Sequence, residues 1–302
     1  MKPAAFAYLA PRDLDEALDQ LAEHGADARV LAGGQSLVRL MNARLASPAV
    51  VVDINRVGGL DALSLVNGSG PARLRLGATV RQRTSELSPD VAAHAPLLAE
   101  AGTHVAHAPV RSRGTVVGSV AFADPSAELP TALLALDGRV VARSRSGERT
   151  IEADDFFTGP FTNALRDDEL AVAVEVPVTA ARTGHAFVEV SRRHGDLPVC
   201  GVAAVVSRGD DGTLGRVRIA LCGADERPVR ARAAEDALTG TDGGADAVAA
   251  AAARASDGLF PLADCHGSAD FRRRLARVLT GRALRTAIDR AAIDRAGEAG
   301  NA

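Results

Sequence analysis

Along residues 11–26 the apolar positions Leu14, Ala17, Leu18 and Leu21 recur at helical spacing, and Gly25 supplies a stop. Residues 28–32 (ARVLA) form a short apolar strand that ends abruptly at Gly33-Gly34. A second helical run covers 36–45, and the β-branched run 50–54 (VVVDI) is a strand. This β-α-β pattern with short joints predicts an α/β unit with parallel strands. From Arg73 the rhythm changes. Strands are expected at 73–76 and 79–80, a helix at 96–106, a Gly-rich turn running into a strand at 113–123, and a helix at 128–136. Short strands at 139–143, 150–151 and 170–176 complete an α+β portion. The stretch 177–184 (PVTAARTG) has neither period and reads as a linker. Beyond it come strands at 186–191, 200–207 and 217–222, then helices at 231–238, 245–255 and 268–292. Three strands followed by three helices make a compact α+β unit. The tail from Gly297 reads as a frayed end.

Composition narrows the function classes. The chain has 302 residues, enough for about two domains. Its 35 basic and 38 acidic side chains give a net charge of −3, so it lacks the basic excess of a nucleic-acid face. Lys2 is the only lysine, which excludes a P-loop lysine and a buried Schiff-base lysine. Cys200, Cys222 and Cys265 are isolated; an iron–sulfur cluster usually needs four thiolates, so this chain does not build one alone. Sparse cysteines fit a reducing cytoplasm. No run approaches the ~18 apolar residues of a spanning helix, and the apolar start is too short for a secretory signal.

Two segments carry candidate chemistry. The first, Leu31-Ala32-Gly33-Gly34-Gln35-Ser36-Leu37, runs from strand through paired glycines into a helix start. Such glycines let backbone N–H groups approach a diphosphate, although an ordinary βα turn with Ser36 as N-cap fits the same residues. The second runs from Arg113 through Thr115, Val117, Gly118 and Ser119 to Asp124 and Glu128. Its two carboxylates suit sugar or ribityl hydroxyls, or equally the first turn of a helix. His104 and His107 lack a third partner for a metal, and no nucleophilic triad is placed by sequence, so no catalytic or metal-binding residue is assigned.

Taken together, five ordered segments resemble the flavin-binding medium subunit of molybdenum hydroxylases, as in carbon monoxide dehydrogenase and xanthine dehydrogenase. They are LAGGQSLVRLMNARLASPAVVVDI (31–54), VRSRGTVVGSVAFADPSAELP (110–130), DDFFTGPFTNALRDDEL (154–170), RRHGDLPVCGVA (192–203) and HGSADFRRRLARVLTGRAL (266–284). The resemblance implies a PCMH-type FAD-binding domain at 1–177, in subdomains of about 1–57 and 58–177, followed by a small α+β domain at 184–292 with a three-stranded sheet plus helices. It implies bound FAD, with the loops at Ala32–Ser36 and Thr115–Ser119 on the pyrophosphate and Glu128 on the ribityl chain. Leu170 and the turn Gly195-Asp196-Leu197 would approach the isoalloxazine. The implied role is electron transfer from a [2Fe–2S] small subunit, alongside a molybdopterin large subunit, to an external acceptor. Lack of local acid–base machinery suits a chain whose cofactor carries the chemistry.

Four positions depart from the family pattern. Val117 replaces the first glycine of a GG pair, Phe122 a small polar or histidine residue, Arg39 a frequent proline, and Leu197 an aromatic beside the flavin. A β-branched residue is strained at positive φ, so Val117 is expected at negative φ, with the Gly118 and Ser119 N–H groups still facing the ligand. These departures leave two other functions open: a stand-alone FAD-dependent oxidoreductase of a small-molecule biosynthetic pathway, or a scaffold without flavin. The docking of partners predicts an exposed apolar patch on the N-terminal and three-stranded units.

Overall fold

The structure, a computed structural model, describes residues 2–68 and 70–292; the tail from Gly297 lies outside them. In the N-terminal unit, β1 (Ala7–Leu9), α1 (Leu14–His24), β2 (Ala28–Leu31), α2 (Leu37–Ala43) and β3 (Val50–Asp53) follow one another. The strands form a parallel sheet of order β1-β3-β2. Asp13 caps α1 by accepting from the Glu16 N–H, and Ala17, Leu18 and Leu21 bury its inner stripe. The three-residue edge strand β1 has too few positions to show a period, so the sequence hides it.

The middle unit begins with β4 (Leu63–Val66) and β5 (Arg73–Gly77). Helices α3 (Gln82–Leu87), α4 (Pro89–His94), α5 (Pro96–His104), α6 (Ala108–Arg111), α7 (Val116–Phe122) and α8 (Glu128–Ala135) cross over to β6 (Arg139–Ser144) and β7 (Gly147–Glu152). A short α9 (Ala153–Phe156) and the pair β8 (Phe157–Gly159) and β9 (Thr162–Asn163) precede β10 (Leu170–Pro177). The resulting sheet is antiparallel in the order β4-β5-β10-β6-β7. Two expectations fail here. Residues 79–80 are a turn, in which the Thr79 and Val80 N–H groups donate to the Leu60 and Gly77 carbonyls. The strand expected within 113–123 is helix α7: Thr115 caps it, and buried Val116, Val117 and Val120 lie on one helical face despite their β-branching.

The C-terminal unit holds β11 (Thr183–Val190), β12 (Cys200–Arg208), β13 (Leu214–Cys222), β14 (Val229–Arg230), α10 (Arg232–Leu238), α11 (Ala245–Arg254) and α12 (Ala269–Ala292). Its antiparallel sheet has the order β11-β12-β13-β14, so the three expected strands gain a two-residue fourth at the edge. One face, with Val202, Ala204, Val206 and Ile219, packs under α10, α11 and α12. The other, with Phe187, Ala203, Val205, Ala220 and Cys222, joins the core of the first two units beneath α5 and α8. Every residue of α8 is buried, so this helix is the shared pillar.

Polar contacts fix the seam. Asp137 accepts from Arg216 (2.7 Å), Arg218 (2.9 Å) and Arg230 (3.1 Å), and Arg290 bridges Glu100 (2.7 Å) and the His185 carbonyl (2.7 Å). No helix among the described residues is long and apolar enough to cross a membrane.

Candidate functional site

The site forms where the N-terminal and middle units meet. Strand β2 ends at Leu31, and the chain turns through Ala32-Gly33-Gly34 before entering α2. A Cβ on Gly33 would lie 2.4 Å from the Arg113 carbonyl oxygen and 2.7 Å from Gly114 Cα. Only a glycine permits this backbone-on-backbone contact, and it joins the two loops that sequence singles out. Gly34 sits at φ +71°, which a side chain rarely adopts.

The donors at this junction are open. Among the described residues, the N–H groups of Gly33, Gly34, Gln35, Ser36 and Leu37 have no protein acceptor. The segment is half-buried. Ser36 occupies the position before α2 but makes no capping bond, so the ordinary N-cap alternative for its hydroxyl fails. A half-buried run of unpaired N–H groups is a cradle for an anion.

The second loop is more occupied than expected. Val117 is indeed absent from the positive-φ residues, and at 2% exposure its isopropyl group belongs to the core rather than the ligand space. The Gly118 N–H, however, donates to Thr115 Oγ1 (3.0 Å) and that of Ser119 to the Thr115 carbonyl (3.1 Å). The helical start at Val116 therefore consumes both N–H groups that the sequence assigned to a ligand. What remains is the Val117 N–H and the Ser119 hydroxyl, neither of which has a protein partner among the described residues.

Sequence reasoning missed the residues that hold the loops together. Arg81 lies opposite Thr115 in an isolated antiparallel bridge. Its guanidinium donates to the Arg113 carbonyl (2.7 Å) and to Asn55 Oδ1 (2.7 Å), while Asn55 Nδ2 donates to the Ala32 carbonyl (2.7 Å). A Cβ on Gly114 would meet Gln82 Oε1 at 2.6 Å, and the Gln82 N–H binds the Gly114 carbonyl (2.8 Å). These residues lie in segments without a motif, so no local signal marks them. Asn55, Arg56, Asp61, Thr79, Arg81 and Thr84 line an adjoining cleft of about 490 Å³.

The carboxyl groups sit past the C-terminal end of α7. Asp124 accepts from the Ser126 N–H (2.9 Å), yet burial raises its pKa. Burial pushes Glu128 up to about 8, its own N–H pulling the other way, while Glu189 and Asp124 add to the rise and His104 opposes it. At neutral pH Glu128 is thus a carboxylic acid that can donate as well as accept, not the carboxylate read from sequence. Its neighbour Glu189 meets His104 Nδ1 at 3.4 Å, which raises the imidazole pKa.

Three further expected residues stand apart from the two loops. Leu170 is a core residue at the start of β10, and Asp196 and Leu197 lie in the exposed turn between β11 and β12. None of these three hydrogen-bonds either loop. That turn packs on the chain before α6, where a Cβ on Gly195 would meet His107 Cε1 at 2.6 Å. His104 closes α5 while His107 lies beyond it, so they share no helix face, and the described residues contain no metal-ligating cluster.

The residues present fit a dinucleotide with a diphosphate: open N–H donors, a backbone junction closed to any side chain, and a polar carboxylic acid beyond. Comparison with known proteins agrees. Residues 4–179 match the FAD binding domain in molybdopterin dehydrogenase, and residues 185–287 the CO dehydrogenase flavoprotein C-terminal domain. The 6-hydroxypseudooxynicotine dehydrogenase complex subunit alpha of Paenarthrobacter nicotinovorans is 39% identical, the match covering 96% of this chain and 97% of that protein. Caffeine dehydrogenase subunit beta of Pseudomonas sp. (strain CBB1) is 40% identical with the same coverage of 96% and 97%. The solved carbon monoxide dehydrogenase of Hydrogenophaga pseudoflava superposes with a TM-score of 0.92 at 38% identity, covering 96% of this chain and 99% of that one. The chain therefore belongs to the FAD-binding medium subunits of the molybdenum hydroxylases.

Proposed function

We propose that this chain carries electrons from a [2Fe–2S] small subunit to an external acceptor within a complex whose large subunit holds the molybdopterin cofactor. The observation that carries the reading is the junction at Gly33 and Gly114, beside which the N–H groups of Gly33–Leu37 have no protein acceptor among the described residues. In this reading Leu31 and Ala32 bring β2 to the diphosphate, and Gly33, Gly34, Gln35, Ser36 and Leu37 donate to it. Thr115 shapes the second loop by capping α7, and Gly118 leaves room for that cap. The Val117 N–H and the Ser119 hydroxyl face the ligand. Asp124 and the protonated Glu128 bind ribityl hydroxyls, while Leu170, Asp196 and Leu197 border the ring. When bound, FAD supplies a carrier that accepts electrons singly and releases them in pairs.

The units divide between Pro177 and Thr183. Phe6, Tyr8, Val38 and Leu45 on the first unit, and Phe260, Leu262, Phe271 and Val278 on the last, are exposed apolar side chains available to partner chains. We place the complex in the cytoplasm, which the unpaired thiols Cys200 and Cys222 suit. Titration of flavin-free protein with FAD, followed by copurification from the native host, tests the reading. A protein that ignores FAD refutes it, and one that runs alone and turns over substrate with oxygen replaces it with the stand-alone oxidoreductase.

A further inference from the structure

We infer that Arg81 is the positioning residue of the site, a brace that clamps the two glycine loops against each other and contributes the positive charge awaiting an anion between them. The inference rests on the reading that a diphosphate binds at Gly33–Leu37.

Three observations converge on it. The first is mechanical. The carbonyl that one arm of the guanidinium grips, Arg113 O at 2.7 Å, is the atom that Gly33 packs against, 2.4 Å from where a Cβ would stand. The other arm holds Asn55 Oδ1 at 2.7 Å, and Asn55 in turn holds the Ala32 carbonyl at 2.7 Å. One planar group therefore ties residues 32 and 113, on either side of the Gly33–Gly114 contact. A guanidinium is suited to this because its fork is rigid and reaches two acceptors at fixed spacing, which an ammonium on a flexible stem does not.

The second observation is electrostatic. Both acceptors of Arg81 are neutral, and no carboxylate lies within 4.0 Å of it among the described residues. Asp53 is the nearest source of opposite charge, but it is engaged by the Tyr8 hydroxyl and by Asn55. Partial burial and the neighbouring Arg113 both disfavour the cationic form. Its acceptors leave the guanidinium charge uncompensated at contact distance, and a bound diphosphate would supply the counter-charge.

The third is placement. Arg81 is fixed by backbone pairing with Thr115, the residue that caps α7, and it lines the cleft of about 490 Å³ beside the loops. Its backbone and one arm of its side chain register the 113–119 loop, while the other arm reaches the Ala32 loop through Asn55.

The test titrates the full-length, flavin-free chain with FAD and with inorganic pyrophosphate as a competitor, in the parent, Arg81→Lys, Arg81→Met, Asn55→Ala and the Arg81→Met/Asn55→Ala pair. Lysine keeps the charge but loses one arm, so FAD binding should weaken about tenfold; methionine loses both, for about fiftyfold or more. Competition by pyrophosphate should weaken in the same order. Asn55→Ala should cost affinity in the parent but little further in the Met background, because both break one bridge. The melting temperature of the flavin-free chain should move by less than about 2 °C. Arg81→Met binding FAD within threefold of the parent overturns the brace. So do Asn55 and Arg81 effects that simply multiply, or a melting temperature that falls in step with affinity. A parent that ignores FAD overturns the flavin reading itself, and that result is visible before any substitution is made.

Discussion

Replacing Glu128 with glutamine keeps the shape of the side chain and removes its ability to ionise. In the folded chain Glu128 holds its proton up to about 8, because 4% exposure at the start of α8 leaves a carboxylate poorly solvated, with Glu189 nearby. The unfolded chain releases that proton near the ordinary 4.5. Between these values the unfolded state binds fewer protons than the folded one, so stability falls as pH rises. The full rise from 4.5 to about 8 corresponds to roughly 4–5 kcal/mol at 1.36 kcal/mol per pH unit. Solvent relaxation on ionisation trims this, and about 2–4 kcal/mol is expected between pH 5 and pH 8. Urea unfolding of flavin-free parent and Glu128→Gln across that range isolates the effect, since His104 and Asp124 titrate in both. The parent should lose stability relative to the variant as pH rises, with near-equality at pH 5. Parallel stability curves from pH 5 to pH 8 would refute the argument, because they would mean that Glu128 ionises as it does in water.

Three further substitutions test other parts of the structure. Gly33→Ala drives a methyl group into the Arg113 carbonyl, so FAD affinity should fall by more than about tenfold, ~1.4 kcal/mol, in a fluorescence titration. Val117→Gly removes a core side chain and places glycine in α7; thermal unfolding should show a loss of about 2–4 kcal/mol, while FAD affinity shifts by less than about tenfold. Asp137→Asn leaves three arginines without their carboxylate, and denaturation at pH 7 should show about 1–3 kcal/mol lost from this one-third-exposed site. The folded chain holds Asp137 below its ordinary 3.8 because its arginine partners outweigh burial, so the parent's advantage is full above that value and is lost as pH falls from it through the lower folded value.

The sequence made legible what repeats or stands out locally. The helical stripe of Leu14, Ala17, Leu18 and Leu21, the βα turn at Gly33-Gly34 and the long helix α12 all have a local signature. So did the family, because its motifs are contiguous. Helix α7 was misread because β-branched Val116, Val117 and Val120 favour strand, whereas the Thr115 cap and burial against the middle sheet decide otherwise. The protonation of Glu128 was hidden because it depends first on burial and then on Glu189, both of which only the folded chain supplies. Arg81 and Asn55 were hidden for the same reason: their partners, Arg113 and Ala32, are far away in sequence, and only the folded chain makes them a unit.

Helix α12 has a consequence for how the molecule is made. It covers β11 and β12 on one face of the last sheet, and near its end Arg290 reaches Glu100 and the His185 carbonyl. During synthesis the strands of the first two sheets are all available once β10 is out, so those units can close early. The last sheet then waits with Val202, Ala204 and Val206 of β12 uncovered until α12 leaves the ribosome. From Thr183 to Ala292 that takes roughly 5–20 s at ordinary elongation rates. For that interval the nascent chain presents an apolar sheet face to the crowded cell, and a chaperone has its best-defined target there.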